Sequence, residues 1–456
     1  MSAIAALLNS KCRPLVLKIA FLFLGILLMT SQRQKDYVTL PNDKVSLNII
    51  SVESFSESEK LYTSDFVILN GEMKGRKVRC YMRKDSNFKP NLGATYNVVG
   101  KLQPFLDFGD DSNFSFKRWA DSHSLSAQMF LYGNKISRTE NAIQELTFFQ
   151  RVSLKSKLIR ERLLEMLKEN GITDGNHAVM AAMAFGDKSA LSKETRDVYA
   201  KTGVAHLLAL SGMHLGVLFM LLTMVFGRLR SRVLSSIIVV TSVWIYVVFV
   251  GMPASVVRAA TMLTIYTVVT IDGRNKMSIN ALFVTFTVMV VCNPMIIWDA
   301  GFQLSFLSML SIFLYFTPIY NMVSVKILFK HPVFRYIWTT VSLSLAAQIG
   351  TSPLTMYYFG RFTTLFLITN IVAIPLVTIL LYSVFLVLIF WMVPFIKMAL
   401  LLSIQMFSSL LSWILDFFAS WQWVSIENIS INWIQLMLIY IMLAVFTYMA
   451  KRVIIR

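Results

Sequence analysis

The chain has 456 residues, of which 56% are hydrophobic and only 15% charged, and its formal net charge is +18. Soluble domains carry about a quarter charged residues, and the deficit here is uneven: residues 201–456 hold four acids (Asp272, Asp299, Asp416, Glu427) against fifteen Lys and Arg. These features exclude a wholly soluble enzyme and a disordered chain, and indicate a membrane protein whose second half is bilayer-embedded.

Residues 1–13 are mildly polar, and Leu15–Thr30 is an apolar run interrupted only by Lys18. A signal peptide is the competing reading. No small-residue cleavage site follows and Ser31–Lys35 is polar, so residues 1–35 read as a cytoplasmic tail and anchor, with Lys18 snorkelling to the interface. Residues 36–140 are close to neutral. Short alternating runs at Val45–Ile50, Asp65–Leu69, Lys77–Met82, Thr95–Leu102 and Ser126–Tyr132 predict half-exposed strands, with a hairpin turn at Glu72–Arg76. Five strands in about 100 residues suggest a small extracytoplasmic β-barrel, OB-like, with an unrelated sandwich as the alternative.

Residues 141–200 read as amphipathic and interfacial helices. Val152, Leu154, Leu158, Ile159, Leu163, Met166 and Leu167 recur at helical spacing with Lys155, Lys157, Arg160, Arg162 and Glu165 between them. Such a helix suits a membrane surface or a neighbouring helix. The apolar stretch Ala178–Gly186 is too short to span and predicts an interfacial or re-entrant helix. Within 201–456, spans are expected near 203–226, 233–250, 254–271, 278–293, 298–317, 336–357, 363–391, 398–418 and 431–450. Bases fall on alternate connectors: Arg228, Arg230 and Arg232; Arg274 and Lys276; Lys326, Lys330 and Arg335; Lys397; Lys451, Arg452 and Arg456. By the positive-inside rule these connectors are cytoplasmic. The expected fold is therefore a polytopic α-helical membrane protein of about ten spans, with both termini inside and residues 36–200 outside. Arg361 falls on the wrong side of this pattern, and Pro375 marks a candidate break.

Chemistry-bearing motifs are few. There is no P-loop, H-E-x-x-H or G-x-S-x-G. His and Asp residues do not cluster for two-metal chemistry, and Cys12, Cys80 and Cys292 lie in separate segments. No cofactor, metal or catalytic residue is expected. What remains is polar residues inside apolar spans. His206 and His214 bracket Ser211-Gly212, where the glycine weakens the helix and a break would need a water-lined cavity or neighbouring protein. Arg258 lies just past Pro253, and a central Arg costs about 2.5–3.5 kcal/mol even on the mild insertion scale. Asp299, Gln303, Gln348 and Asn370 complete the set. Singly, each is explained by a helix-packing hydrogen bond of ~0.6 kcal/mol. Together they point to a polar conduit in a channel, transporter or intramembrane enzyme.

Several blocks resemble the ComEC competence proteins, a family of inner-membrane channels for single-stranded DNA. HAVMAAMAFGDKSALSKETRDVYAKTGVAHLLALSGMHLGVL is similar to that family's helix pair and H-L-L-A-I-S-G-L-H-V-G core. PASVVRAA resembles its P-S-x-x-R-A motif. INALFVTFTVMVVCNPMIIWDAGFQLSFLSMLSI and AAQIGTSPLTMYYFGRFTTLFLITNIVAIPLV resemble its N-A-L…N-P…D-x-G-F-Q-L-S-F and A-Q-x-G-x-x-P…F-G-R…N-x-x-x-x-P blocks. SNFSFKRWADSHSLSAQMFL resembles the F-D-Y-x-x-Y-L segment of the outer domain, but Ser115-Phe116 replaces Asp-Tyr and Trp119 the second Tyr. Met213 replaces a usual Leu.

The resemblance implies a channel that translocates single-stranded DNA during natural transformation, with partners that include membrane lipids, a periplasmic DNA receptor, and a cytoplasmic helicase or single-strand-binding protein. Arg258 would offer phosphates a guanidinium fork. His206, Ser211, His214, Gln303, Gln348 and Asn370 would line or brace the path. Asp299 is the alternative, fixed partner for Arg258. Many family members carry a C-terminal metallo-β-lactamase-like domain; with Arg456 directly after the last span, that activity is expected to be absent or supplied elsewhere. The competing functions are a proton-coupled transporter of an anionic solute, using His206 and His214, and a non-transporting scaffold of an uptake complex.

Overall fold

A computed structural model describes residues 43–57, 60–84, 91–107, 115–131, 136–139, 142–271, 279–421 and 423–455. The expected tail and anchor at 1–35 lie outside the described residues. Alternating side chains build the first unit as β1 (Val45–Ser51), β2 (Ser56–Glu57), β3 (Leu61–Ile68), β4 (Lys77–Arg83), β5 (Thr95–Gly100), β6 (Leu102–Gln103), β7 (Leu125–Leu131) and β8 (Ile136–Thr139). Their order is β6-β7-β4-β3-β1-β5-β8, with β2 on the side of β3. The β4–β7 pair is parallel and the other pairs are antiparallel.

The expected turn Glu72–Arg76 holds Gly75 at φ +83°, with Gly71 just before it at +75°, a region glycine enters without Cβ strain. The run Thr95–Leu102 is not one straight strand. It divides at Lys101, so β5 pairs with β1 and β6 with β7. At the bend, a Cβ on Gly100 would lie 2.7 Å from the Met129 Sδ. Ile49, Phe66, Val78, Tyr96 and Met129 fill the interior of this sheet. Fully burying side chains of this size stabilises by ~1.5–3 kcal/mol each.

Helix α1 (Phe116–Ser122) precedes β7, and α2 (Phe148–Glu169) leaves the sheet. Thr147 and Gln150 form a reciprocal capping box at the start of α2, which satisfies two backbone donors that would otherwise be orphaned. Leu154 packs under the sheet while Leu164 and Leu167 enter the helical core. The polar stripe of α2 is only partly exposed, because Lys157 and Arg160 are buried. Lys157 donates to the Val52 carbonyl and pairs with Glu53. Burial lowers its pKa, and Glu53 opposes that shift.

Helix α3 (Asp174–Met180) runs into a π-helical turn at Ala181–Phe185 that ends on Gly186 at φ +73°. The stretch expected to be interfacial or re-entrant, Ala178–Gly186, is enclosed by protein: Ala178 through Phe185 are buried. Then follow α4 (Lys193–Lys201), α5 (Ala205–Leu208), α6 (Gly212–Phe226), α7 (Arg232–Phe249), α8 (Ala254–Ile271), α9 (Ile279–Cys292) and α10 (Ala300–Tyr320). The series ends with α11 (Val325–Lys330), α12 (Pro332–Phe359), α13 (Phe366–Ile389), α14 (Pro394–Ala419) and α15 (Trp433–Ile455). A 3-10 turn, Pro294–Trp298, joins α9 to α10. Two short strands, β9 (Phe362–Thr363) and β10 (Ser425–Ile426), pair beside the ends of α12 and α14.

Helices α7, α10, α13 and α14 are long and apolar enough to cross a membrane, while the apolar parts of α6, α8, α9 and α15 are shorter. The first expected span, 203–226, is instead divided between α5 and α6. Helix α13 runs through Pro375 without a break. Large apolar side chains such as Ile245, Phe283, Trp413, Met437 and Phe446 are exposed on the helices. So much outward apolar surface requires a non-aqueous neighbour, and the chain is that of a membrane protein.

Candidate functional site

The helical unit is organised around the gap between α5 and α6. Ala209, Leu210 and Ser211 leave helical geometry there, and Ser211 becomes the N-cap of α6. His214 occupies the position usually taken by Glu or Gln in a capping box: its Nδ1 accepts from the Ser211 backbone N–H at 3.2 Å and lies 2.8 Å from the Ser211 Oγ. His214 is 0% exposed, and its Nε2 has no hydrogen bond of normal geometry. His206, on α5, is exposed but lies near enough to His214 for the two imidazoles to interact electrostatically. The Leu210 carbonyl accepts from the Ser255 Oγ at 2.6 Å, which ties the gap to the start of α8.

One turn along α8, Arg258 lies against this gap. A Cβ on Gly212 would be 3.4 Å from the Ala259 Cβ and 3.5 Å from an Arg258 Nη, so the guanidinium packs directly over the glycine at ordinary contact distance. Arg258 is 7% exposed, its Nε has no partner, and its Cζ lies 5.9 Å from the Phe306 ring centroid. Among the described residues no carboxylate pairs with it. The fixed Arg258–Asp299 pair is not formed. Asp299 is committed to capping α10 and accepts from the Phe302 N–H at 2.7 Å.

The remaining candidates are dispersed. Gln303 donates to the Ile297 carbonyl and accepts from the Tyr358 hydroxyl, bracing the 3-10 turn against α12. Asn370 donates to the Ser344 Oγ at 3.1 Å, leaving its own Oδ1 buried without a partner. Gln348 is half-buried on α12. Ser211, Gly212, His214 and Arg258 therefore form one cluster; Asp299 and Gln303 form a second; Asn370 and Gln348 lie with α12 and α13.

The outer sheet carries a surface that the near-neutral charge of 36–140 conceals. In β4 the residues Val78, Cys80 and Met82 point inward, so Lys77, Arg79, Tyr81 and Arg83 share the outward face. Tyr81 stacks on its cross-strand partner Phe130 with centroids 4.9 Å apart and an interplanar angle of 17°. Phe130 is 45% exposed. Arg79 makes a two-point contact with Asp65 at 2.7 and 3.0 Å, and its Cζ lies 4.4 Å over the Trp119 ring. Trp119 is itself stacked between Phe116 and His123. The period-2 alternation of KVRCYMR was the available signal for this face. The same helix, α1, docks on the membrane unit: Arg118 lies over Trp298 at 4.4 Å, and Asn293 donates to the Ser122 carbonyl at 3.2 Å.

With this geometry in place, the comparison with known proteins is decisive at the level of family. The sequence profile of the competence protein family matches residues 183–453. The chain belongs to that family. The match runs from the π-helical turn to the last helix and takes in both polar clusters. Among relatives, the chain is 30% identical over 205 residues to ComE operon protein 3 of Bacillus subtilis, covering 44% of this chain and 24% of that protein. It is 23% identical over 362 residues to Recombination protein 2 of Haemophilus influenzae, covering 73% of this chain and 43% of that one. An uncharacterised Aquifex aeolicus protein is 32% identical over 160 residues, with 35% and 38% covered. The chain thus spans less than half the length of these curated relatives. No solved structure matches it.

Proposed function

We propose that this competence-family chain is an inner-membrane component of DNA uptake that receives a single strand on its outer sheet and passes it between its membrane helices. The observation that carries the reading is the β4–β7 face, where the half-buried Tyr81 stacks on the exposed Phe130 and Lys77 and Arg83 lie on the same face of β4. Single-strand binders combine cations that track the backbone with aromatic faces on which bases stack, worth about 1–3 kcal/mol per base. The parallel β4–β7 pair and the β5–β6 run that pairs at both ends support an OB-type arrangement of this sheet. Docking of α1 on Trp298 and Asn293 sets that sheet against the α9–α10 connector.

Within the membrane, the unpaired Arg258 beside Gly212 supplies a positive site for a passing phosphate. The alternating bases support about ten spans with residues 36–200 outside. The driving force comes from a partner helicase or the proton gradient. Purified chain in nanodiscs, titrated with fluorescent oligothymidylate, tests the reading. Micromolar or tighter binding that weakens with salt, and weakens about tenfold in Lys77→Gln/Arg83→Gln, is expected. Salt-independent binding, or none, together with proton-coupled flux of small anions in vesicles, would replace it with the transporter reading.

A further inference from the structure

A second polar site lies where the outer sheet, α2 and the segment after the π-turn converge. It is a cavity of about 240 Å³ lined by Glu53, Ser54 and Ser56 from the sheet, Arg160 from α2, and Gly186 to Ser189 with Arg196. Arg160 forms its floor. It is 4% exposed, one Nη donates to the Phe185 carbonyl at 3.2 Å, and its Nε is sealed without a partner. Lys188 and Arg196 stand at the rim, and Arg196 donates to the Lys188 carbonyl at 2.7 Å.

The charges here do not cancel. Glu53 is taken by Lys157. Asp187 accepts from the Ser189 backbone N–H at 2.9 Å. Glu161, behind the wall, accepts from Ser54. By contrast, none of Arg160, Lys188 and Arg196 has a carboxylate partner among the described residues. The three cations Arg160, Lys188 and Arg196 therefore outnumber the two nearby carboxylates that no lysine or arginine bridges, Asp187 on the lining and Glu161 behind it, with Glu161 near enough to feel the Arg160 charge. Of the three only Arg160 is buried, and a buried cation without a bridging counter-charge is costly; an anion in the cavity lowers that cost, with the exposed Lys188 and Arg196 at its mouth.

We propose that this cavity holds a phosphodiester group of the single strand, between the outer sheet and the gap before α6. The inference rests on the DNA-uptake reading and extends it to a site that reading did not use. The rim is polar: Ser54, Ser56, Ser189, Lys188 and Arg196 leave no apolar exit for the acyl chains of a lipid. A guanidinium and a rim ammonium suit a phosphate oxygen pair. The location is also continuous with the membrane cluster. A Cβ on Gly186 would sit 2.5 Å from the Leu210 Cδ1, and Leu210 belongs to the gap that Ser255 and Arg258 adjoin. A phosphate held at Arg160 thus lies one packed contact from the start of the intramembrane path.

The test uses the full chain in nanodiscs with fluorescent oligothymidylate, titrated across salt concentrations. Lys188→Gln/Arg196→Gln removes two rim cations without disturbing the buried Arg160, and its thermal midpoint should match wild type. The expected result is a Kd raised about tenfold and a log–log salt slope shallower by about 1.4, the value for two lost single-strand phosphate contacts. An unchanged Kd and slope, with Lys77→Gln/Arg83→Gln still weakening binding, overturns this site and leaves the outer-sheet reading standing. A defect seen only in nanodiscs of anionic lipid assigns the cavity to a headgroup and also overturns it. A wild-type chain that binds no single strand removes both readings.

Discussion

At the scale of single residues, Arg258 and Arg361 illustrate two fates of a charge near the membrane. Arg361, which breaks the positive-inside pattern, bridges Asp197 at 2.9 Å and Glu427 at 3.1 Å, and Asp197 also pairs with Lys201. Its charge is neutralised locally, so it carries little weight in topology. The Lys201 hydrogen bond, followed by Arg361, holds the Asp197 carboxyl below its ordinary value of 3.8. A carboxyl depressed in the folded state stabilises above its unfolded pKa, and that stability is lost as pH falls towards the folded value. The wild-type thermal midpoint should therefore drop more steeply than that of Asp197→Asn below about pH 4, as read by differential scanning fluorimetry in detergent. Equal slopes would contradict the assignment. Arg258 has no such partner. Arg258→Gln should fold with an unchanged or raised midpoint, because it removes an uncompensated charge, yet lose about 10–100-fold in uptake if it surrenders one charged contact of ~1.5–3 kcal/mol. Normal uptake by correctly inserted protein would reject its role. The sequence marked Arg258 by its cost and by its place in PASVVRAA, and it left Asp299 open as a partner. That choice was not legible because Asp299 also fits an N-cap, and only the geometry shows the Phe302 N–H occupying it.

At the scale of elements, the helix pair α10–α12 packs at a glycine. A Cβ on Gly350 would lie 1.7 Å from the Ser311 Oγ and 2.8 Å from its Cβ, a close approach typical of membrane helices with small residues at their contact. Gly350→Val should destabilise by ~1–3 kcal/mol through overpacking, measured as a lower midpoint in detergent; an unchanged midpoint would show that the helices do not meet there. Periodicity located β1, β3, β4, β5 and β7 and nearly all the long helices, because each buries one face or one stripe, and it missed the short β2 and β8. It failed where burial follows from tertiary contact. The polar stripe of α2 predicted exposure for Lys157 and Arg160, yet backbone carbonyls at Val52 and Phe185 draw both inside. Ala178–Phe185 read as interfacial or re-entrant, because length and apolarity do not distinguish lipid from the protein interior that encloses it. The gap at Ala209–Ser211 was foreshadowed by Gly212, although its extent depends on the His214 capping interaction.

At the scale of the whole molecule, two units share one strut. Helix α2 contributes Leu154 to the sheet and Leu167 to the helical core, and α1 locks the sheet to Trp298 and Asn293. Under the proposed function, the β4 face, the cavity at Arg160 and the gap beside Arg258 would be successive contacts for one strand. Overall charge concealed this route, since residues 36–140 average to near neutrality while β4 sorts its bases to one face. That the β4 face receives DNA for uptake is tested most directly by transformation. A strain lacking its own copy, complemented with Lys77→Glu/Arg83→Glu at wild-type membrane levels, should transform at least about tenfold less often than one complemented with the unaltered chain, as expected when phosphate contacts become repulsive. Equal transformation frequencies would contradict the claim.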